Sequence, residues 1–374
     1  DHALMPPSVE QRHRQNGAPG IPRGQFGLPV QDHVRRATFG NHPFGHGPQQ
    51  HPFLIIGFLH RRAQFPWLDE HRRIMRAARQ QAKQVFGDRD RGQPRQGIAV
   101  DSYSILDLSA DLIERQQSRL SPQFDQVTWI NQLPKNFTGI ILANEVLDAM
   151  PIELITYQNQ QWVFKDVALT TKSSEDASED TIGFRHCLGK EVPQAMLPEC
   201  LQQQSIENGY TTEININAKA WINSISEILD MGIVLTIDYG FPEHEYYHSQ
   251  RNQGTVMGHY AHHAVQDPFF YPGLCDLTAH VDWTSMAKTG ISSGLSLLGF
   301  TSQAAYLLDA GIATLLMEKV DPSNATEFIP HSNAIQKLLS EAEMGELFKV
   351  MCFGKGLPFE EGDLPGFRSR PRAL

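Results

Sequence analysis

Two apolar runs constrain this chain more than any other feature. Residues 139–143 (GIILA) and 232–238 (GIVLTID) show no alternation of polar and apolar side chains. A strand of that kind is covered on both faces, as a parallel strand is when helices pack above and below it. Each run ends in polar residues, Asn144 and Glu145 in one case and Asp238 in the other. A shorter run, 104–108 (SILDL), places Asp107 in the same terminal position. Ligands of open parallel sheets sit at the carboxyl ends of the strands, so these three tips mark a candidate site.

Helical spacing alternates with the runs. Ser109 is positioned to cap a helix reaching Leu120, with Asp111 in its first turn. Residues 217–229 repeat apolar side chains at Ala220, Trp221, Ile225 and Ile228. Residues 282–290 and 304–311 are also helix-like, 126–130 is a short strand, 152–157 with 161–165 reads as a hairpin, and 348–353 is a final strand. Residues 170–208 are polar and irregular, with an exposed loop expected at 173–181. The order of elements predicts an α/β domain with a largely parallel sheet.

The first hundred residues differ in texture. They hold 14 Arg, one Lys and seven acids, against a net charge of -10 for the whole chain, and half of the 16 histidines. Basic arms that bind nucleic acid mix Lys with Arg in a repeating pattern. This segment does neither, so no nucleic-acid partner is expected. Residues 1–96 read as an irregular segment, either disordered or out of frame; apolar periodicity is confined to 53–59. Shifted by one base, codons for residues 88–93 (DRDRGQ) can encode Thr-Gly-Thr-Gly-Ala-Ser.

No apolar run reaches 18 residues, so no membrane span is expected. No signal peptide is readable at the N-terminus, and a start at Asp1 fits a fragment. The four cysteines form no CxxC pair, which suits buried thiols in a reducing compartment.

The residues that could carry chemistry gather at the strand tips. Asp107 can accept both hydroxyls of a ribose, or simply cap the following helix. Asn144 and Glu145, with Asp148 in the stretch closed by Pro151, can orient a nucleophilic nitrogen or the edge of an adenine; helix capping is the plainer alternative. Residues 239–282 are long, aromatic and rich in His and Gly. They read as a substrate loop or as a packed surface loop. Their His and Asp spacing matches no zinc pattern, so no metal is expected. No P-loop or GxSxG elbow is present.

Several stretches together resemble the MidA-type methyltransferases, whose mitochondrial relatives are complex I assembly factors. They are 103–115 (YSILDLSADLIER), 143–151 (ANEVLDAMP), 232–240 (GIVLTIDYG), 246–259 (YYHSQRNQGTVMGH), 267–284 (DPFFYPGLCDLTAHVDWT) and 299–308 (GFTSQAAYLL). The strand at 349–356 and the terminal LPGF (364–367) also fit. The resemblance runs in order from residue 97 to the end. It implies a Rossmann-like class I methyltransferase core over 97–374, with an insertion around 151–216 and the substrate loop at 239–282.

The resemblance also implies S-adenosyl-L-methionine as methyl donor. Asp107 and Leu108, with Asn144 and Glu145, correspond to the cofactor side. Asn144, Glu145, Asp148, Asp238, Tyr239, Asp276 and His280 correspond to the methyl-transfer and substrate side. The implied acceptor is a protein side chain such as arginine, with a respiratory-complex subunit as a candidate partner; with no Arg/Ser-rich amphipathic presequence readable, a bacterial cytoplasm is expected, with the mitochondrial matrix as alternative. The family's glycine-rich turn before the Asp107 region is not readable here. Such a turn lets backbone N–H groups approach the cofactor, so its absence implies weak or no cofactor binding. The rival expectation is a non-catalytic assembly or interaction protein that retains the fold.

Overall fold

The computed structural model describes residues 52–56, 102–121, 127–172, 181–203, 205–260, 263–369 and 371–374, all within the unit Gln49–Leu374. The altered-frame reading of 88–93 lies outside them, as do most of the loop expected at 173–181 and His262.

The two apolar runs form the middle of the main sheet. Its strands are β1 (Pro52–Ile56), β2 (Ser102–Leu106), β3 (Val127–Ile130), β4 (Phe137–Asn144), β9 (Leu229–Phe241), β14 (Ser296–Ser302) and β15 (Phe348–Lys355), in the order β14-β15-β9-β4-β1-β2-β3, with β13 (Val281–Asp282) beside β9. Pairing is parallel from β9 through β3, while β15 runs antiparallel between β9 and β14. β1 (PFLII) falls on the apolar stretch 53–59, inside the segment otherwise read as irregular. Its register, Phe53 opposite both Tyr103 and Ile140, places it between β2 and β4.

Alternate residues of β4 and β9 explain their unbroken apolarity. Ile141, Ala143 and Val234 face α3 (Ile216–Ile228) and α5 (Trp283–Ser292), where Ala218, Ile222, Ile225, Trp283 and Met286 are buried with them. Ile140, Leu142, Ile233, Leu235 and Ile237 face the opposite layer. That layer holds α6 (Gln303–Asp309), α7 (Ile312–Lys319) and α8 (Ala325–Leu339), which contribute Tyr306, Leu307, Ile312 and Leu338. Where β4 and β9 run side by side, Gly232 stands opposite Gly139. A Cβ on Gly232 would lie 1.9 Å from the Gly139 carbonyl oxygen, so only glycine permits this approach.

Between β4 and β9 the chain builds a second sheet, in the order β7-β6-β5-β8, from β5 (Glu153–Gln158), β6 (Gln161–Lys172), β7 (Thr181–Glu191) and β8 (Thr211–Ile214). The hairpin expected at 152–165 is present. The irregularity expected over 170–208 is not: β6 continues to Lys172, β7 pairs with it, and the helix α2 (Glu199–Gln203) follows. Along β7 the apolar Phe184 and Leu188 are separated by His186 and both are exposed, which leaves its period faint to a hydrophobicity reading.

The stretch after β9 is also more ordered than a loop. Helix α4 (Glu243–Tyr246) precedes a small antiparallel sheet, β11-β10-β12, made by β10 (Met257–Tyr260), β11 (His263–Val265) and β12 (Asp276–Thr278). The remaining helix, α1 (Ala110–Leu120), begins after Ser109, whose side chain makes no cap bond. Asp107 instead accepts the N–H of Ser109 itself, as described below. Among the described residues no helix is long and apolar enough to cross a membrane.

Candidate functional site

The turn after β4 is built around one carboxylate from the neighbouring strand. Asp238, near the end of β9 and 1% exposed, accepts three successive backbone N–H groups at Oδ2: Val146 (3.2 Å), Leu147 (3.0 Å) and Asp148 (3.2 Å). Its Oδ1 accepts the N–H of Tyr239 at 2.9 Å. Burial, then the nearby Asp148 and Glu145, pushes the Asp238 carboxyl well above the usual carboxylate range. The parallel register of β4 and β9 makes the arrangement possible, because it sets Asn144 opposite Ile237, one residue before Asp238.

The same turn holds Glu145 at φ 50°, a backbone state few residues other than glycine adopt. Its N–H donates to Ile237 O at 2.9 Å, and Asn144 Nδ2 approaches its Oε1 at 3.4 Å. Strain of this kind persists where surrounding contacts over-determine it.

Beside the turn, the Tyr239 hydroxyl donates to Asp148 Oδ2. Asp148 is buried, and its carbonyl accepts the N–H of Ala279 at 3.0 Å. That bond draws the segment after β12 against the turn and brings in His280. The imidazole meets the Tyr239 ring edge-on at 5.1 Å and stacks on Phe241 at 5.2 Å. The Arg251 guanidinium lies 4.0 Å from the centre of the Phe241 ring. Burial, then Arg251, lowers the His280 pKa to about 4, so the ring is neutral near pH 7. Its buried Nδ1 has no hydrogen-bond partner among the described residues.

Asp107 lies at the tip of β2, beyond β1 as counted across the sheet from β4. It is 5% exposed. Oδ1 accepts the Ser109 N–H at 2.9 Å and Oδ2 accepts Gln116 Nε2 at 2.8 Å. Asp107 therefore serves the start of α1, and each oxygen retains acceptor capacity. Leu108 beside it is 70% exposed.

Of the residues singled out in the sequence, the structure gathers Asn144, Glu145, Asp148, Asp238, Tyr239 and His280 at the ends of β4 and β9. Asp107 and Leu108 stand at the neighbouring strand tip. Asp276 begins β12, half-buried and opposite His259. Spacing did not reveal Gln116, Phe241 or Glu213, while Arg251 falls in the loop singled out at 239–282. Glu213 is 1% exposed and accepts N–H groups from Thr255 (2.5 Å) and Val256 (2.9 Å) and the Tyr246 hydroxyl (3.2 Å), which pins the segment carrying Arg251. A single acid inside the short strand TTEI is the only signal it leaves. Among the described residues, no group of three or more His, Cys, Asp or Glu is placed to hold a metal ion.

The model of a family of S-adenosyl-L-methionine-dependent methyltransferases matches residues 91–301. A native crystal structure from Burkholderia thailandensis is 36% identical, covering 87% of this chain and 78% of its own at a TM-score of 0.69. A second structure from that organism, described as a likely methyl transferase and bound to S-adenosyl-homocysteine, is 38% identical, covering 87% of this chain and 76% of its own at a TM-score of 0.68. Among curated proteins, the mitochondrial protein arginine methyltransferase NDUFAF7 homolog of Drosophila melanogaster is 27% identical over 237 residues, 61% of this chain and 49% of its own length. Its Homo sapiens counterpart is 25% identical over 234 residues, 60% and 48%. The chain thus spans about half the length of the curated relatives it matches. With the strand order, the acidic strand tips and these matches in agreement, the chain belongs to the MidA-type family of S-adenosyl-L-methionine-dependent methyltransferases.

Proposed function

We propose that this chain transfers a methyl group from S-adenosyl-L-methionine to a protein side chain, with an arginine guanidinium as acceptor. The observation that carries the reading is the convergence of Glu145, Asp148 and Tyr239 beside the carboxyl end of β4, next to a strand whose tip bears Asp107. Asp107 fits the cofactor's ribose, since each of its oxygens takes one hydrogen bond from the described residues and can accept another. The cofactor, when bound, supplies an electrophilic methyl group.

The chain's own residues then have three tasks. Glu145 and Asp148 hold the guanidinium by charge-assisted hydrogen bonds and orient one nitrogen. Asp238 is a positioning residue, because its oxygens are engaged by four backbone N–H groups. The Tyr239, Phe241 and His280 rings wall the site against water. Arginine stays protonated until late in transfer, so a carboxylate need accept the proton only as the new bond forms. Asp276 contributes from the small sheet on the substrate side.

The named relatives are mitochondrial protein arginine methyltransferases, which supports the acceptor class, and a respiratory-complex subunit is the partner we infer. Bacterial cytoplasm is the proposed location, with the mitochondrial matrix as alternative. Calorimetric titration with S-adenosyl-homocysteine tests the reading. Micromolar binding that weakens at least tenfold in Asp107→Ala is expected. A folded sample that releases no heat would make the chain a non-catalytic assembly or interaction protein retaining the fold.

A further inference from the structure

The Asp107 carboxylate is held by more than the start of α1. Gln116, two turns into that helix, donates Nε2 to Asp107 Oδ2 at 2.8 Å. Its other amide atom, Oε1, accepts the indole Nε1–H of Trp129 on β3 at 2.9 Å. An amide can present either end to a neighbour, and here the choice is forced. The indole nitrogen only donates, so Oε1 must face Trp129 and Nε2 must face the carboxylate. Turned the other way, the amide would set an oxygen against the carboxylate and an NH2 against the indole N–H.

We propose that Gln116, oriented by Trp129, is a positioning residue that fixes the rotation of the Asp107 carboxylate for the cofactor's ribose. The inference rests on the cofactor reading above. With Gln116 on Oδ2 and the Ser109 N–H on Oδ1, the plane of the carboxylate is pinned at both oxygens. What remains is acceptor capacity on each oxygen, which matches the two adjacent hydroxyls of a ribose. A carboxylate free to turn would meet both hydroxyls only part of the time, and the ribose would lose its advantage over a sugar with one hydroxyl fewer.

The test compares S-adenosyl-homocysteine with its 2′-deoxyribose analogue by calorimetry, using the full chain and the variants Trp129→Phe and Gln116→Leu. The intact chain is expected to prefer the ribose ligand by about tenfold or more, the worth of one hydrogen bond to a charged group. Trp129→Phe removes the indole donor and keeps most of the ring's bulk; the preference should fall to about threefold or less, with the deoxy affinity nearly unchanged. Gln116→Leu should behave alike. Equal losses for both ligands, or an unchanged preference in both variants, would overturn the positioning role. An intact, folded chain that binds neither ligand would remove the cofactor reading, and this inference with it.

Discussion

Asp238→Asn tests whether one buried carboxylate shapes the turn that carries the candidate site. The substitution keeps size and shape but leaves one acceptor oxygen where there were two. With that oxygen facing Val146, Leu147 and Asp148, the new NH2 group faces the Tyr239 N–H, at the position now held by an acceptor 2.9 Å away. One buried N–H then loses its partner, at about 1–3 kcal/mol, and three bonds become neutral, each weaker than its charged counterpart. An opposing effect is relief of the charge that burial, Asp148 and Glu145 disfavour. The net expectation is a loss of about 2–4 kcal/mol. Equilibrium unfolding in urea reads this as a lower midpoint at unchanged m, and amide exchange at Val146–Asp148 should accelerate. Stability within about 0.5 kcal/mol of the parent, well below the worth of one buried bond, with exchange at the turn unchanged, would refute the idea that Asp238 holds it.

Two buried groups should tilt stability with pH in opposite directions. The Asp282 carboxyl is raised to about 6, chiefly by burial, so its contribution is complete below its ordinary value and is lost as pH rises through 6. His280 is lowered to about 4, so its contribution is present above its ordinary value and is lost as pH falls toward 4. Unfolding free energies between pH 4 and 6.5 should therefore rise more steeply with pH in Asp282→Asn, and fall with pH relative to the parent in His280→Phe; the same slope in all three proteins would contradict both assignments. In Gly240→Ala the new Cβ would meet Val281 O at 2.1 Å and Val281 N at 2.7 Å, backbone on both counts. β13 must then part from β9, and thermal unfolding should show a loss of about 1–3 kcal/mol; an unchanged melting temperature would argue against the close approach. Glu145→Gly should relieve about 1 kcal/mol of backbone strain while lowering methyl transfer, so a higher melting temperature with full activity would remove Glu145 from the site.

The local content of the sequence determined the middle of the sheet. Residues 139–143 and 232–235 carry no polar side chain because successive positions enter opposite layers, and such a run fits a doubly covered strand. Their polar ends, and Asp107 just past β2, marked the candidate site by the same logic. Other elements left weaker traces. β7 interrupts its exposed apolar Phe184 and Leu188 with His186, so hydropathy marks it only faintly, and β1, though apolar itself, sits in a segment whose composition conceals its place between β2 and β4. The roles of single side chains were decided only by tertiary structure. Asp238 is a turn-holding acceptor because parallel pairing with β4 aims three N–H groups at it. Gln116 meets both Asp107 and Trp129 because α1 returns beside β2 and β3. His280 joins Tyr239 through the bond between Ala279 and Asp148, two residues 131 positions apart. Each of these contacts depends on directions in space between distant segments, and spacing along a chain carries no record of direction once a turn intervenes.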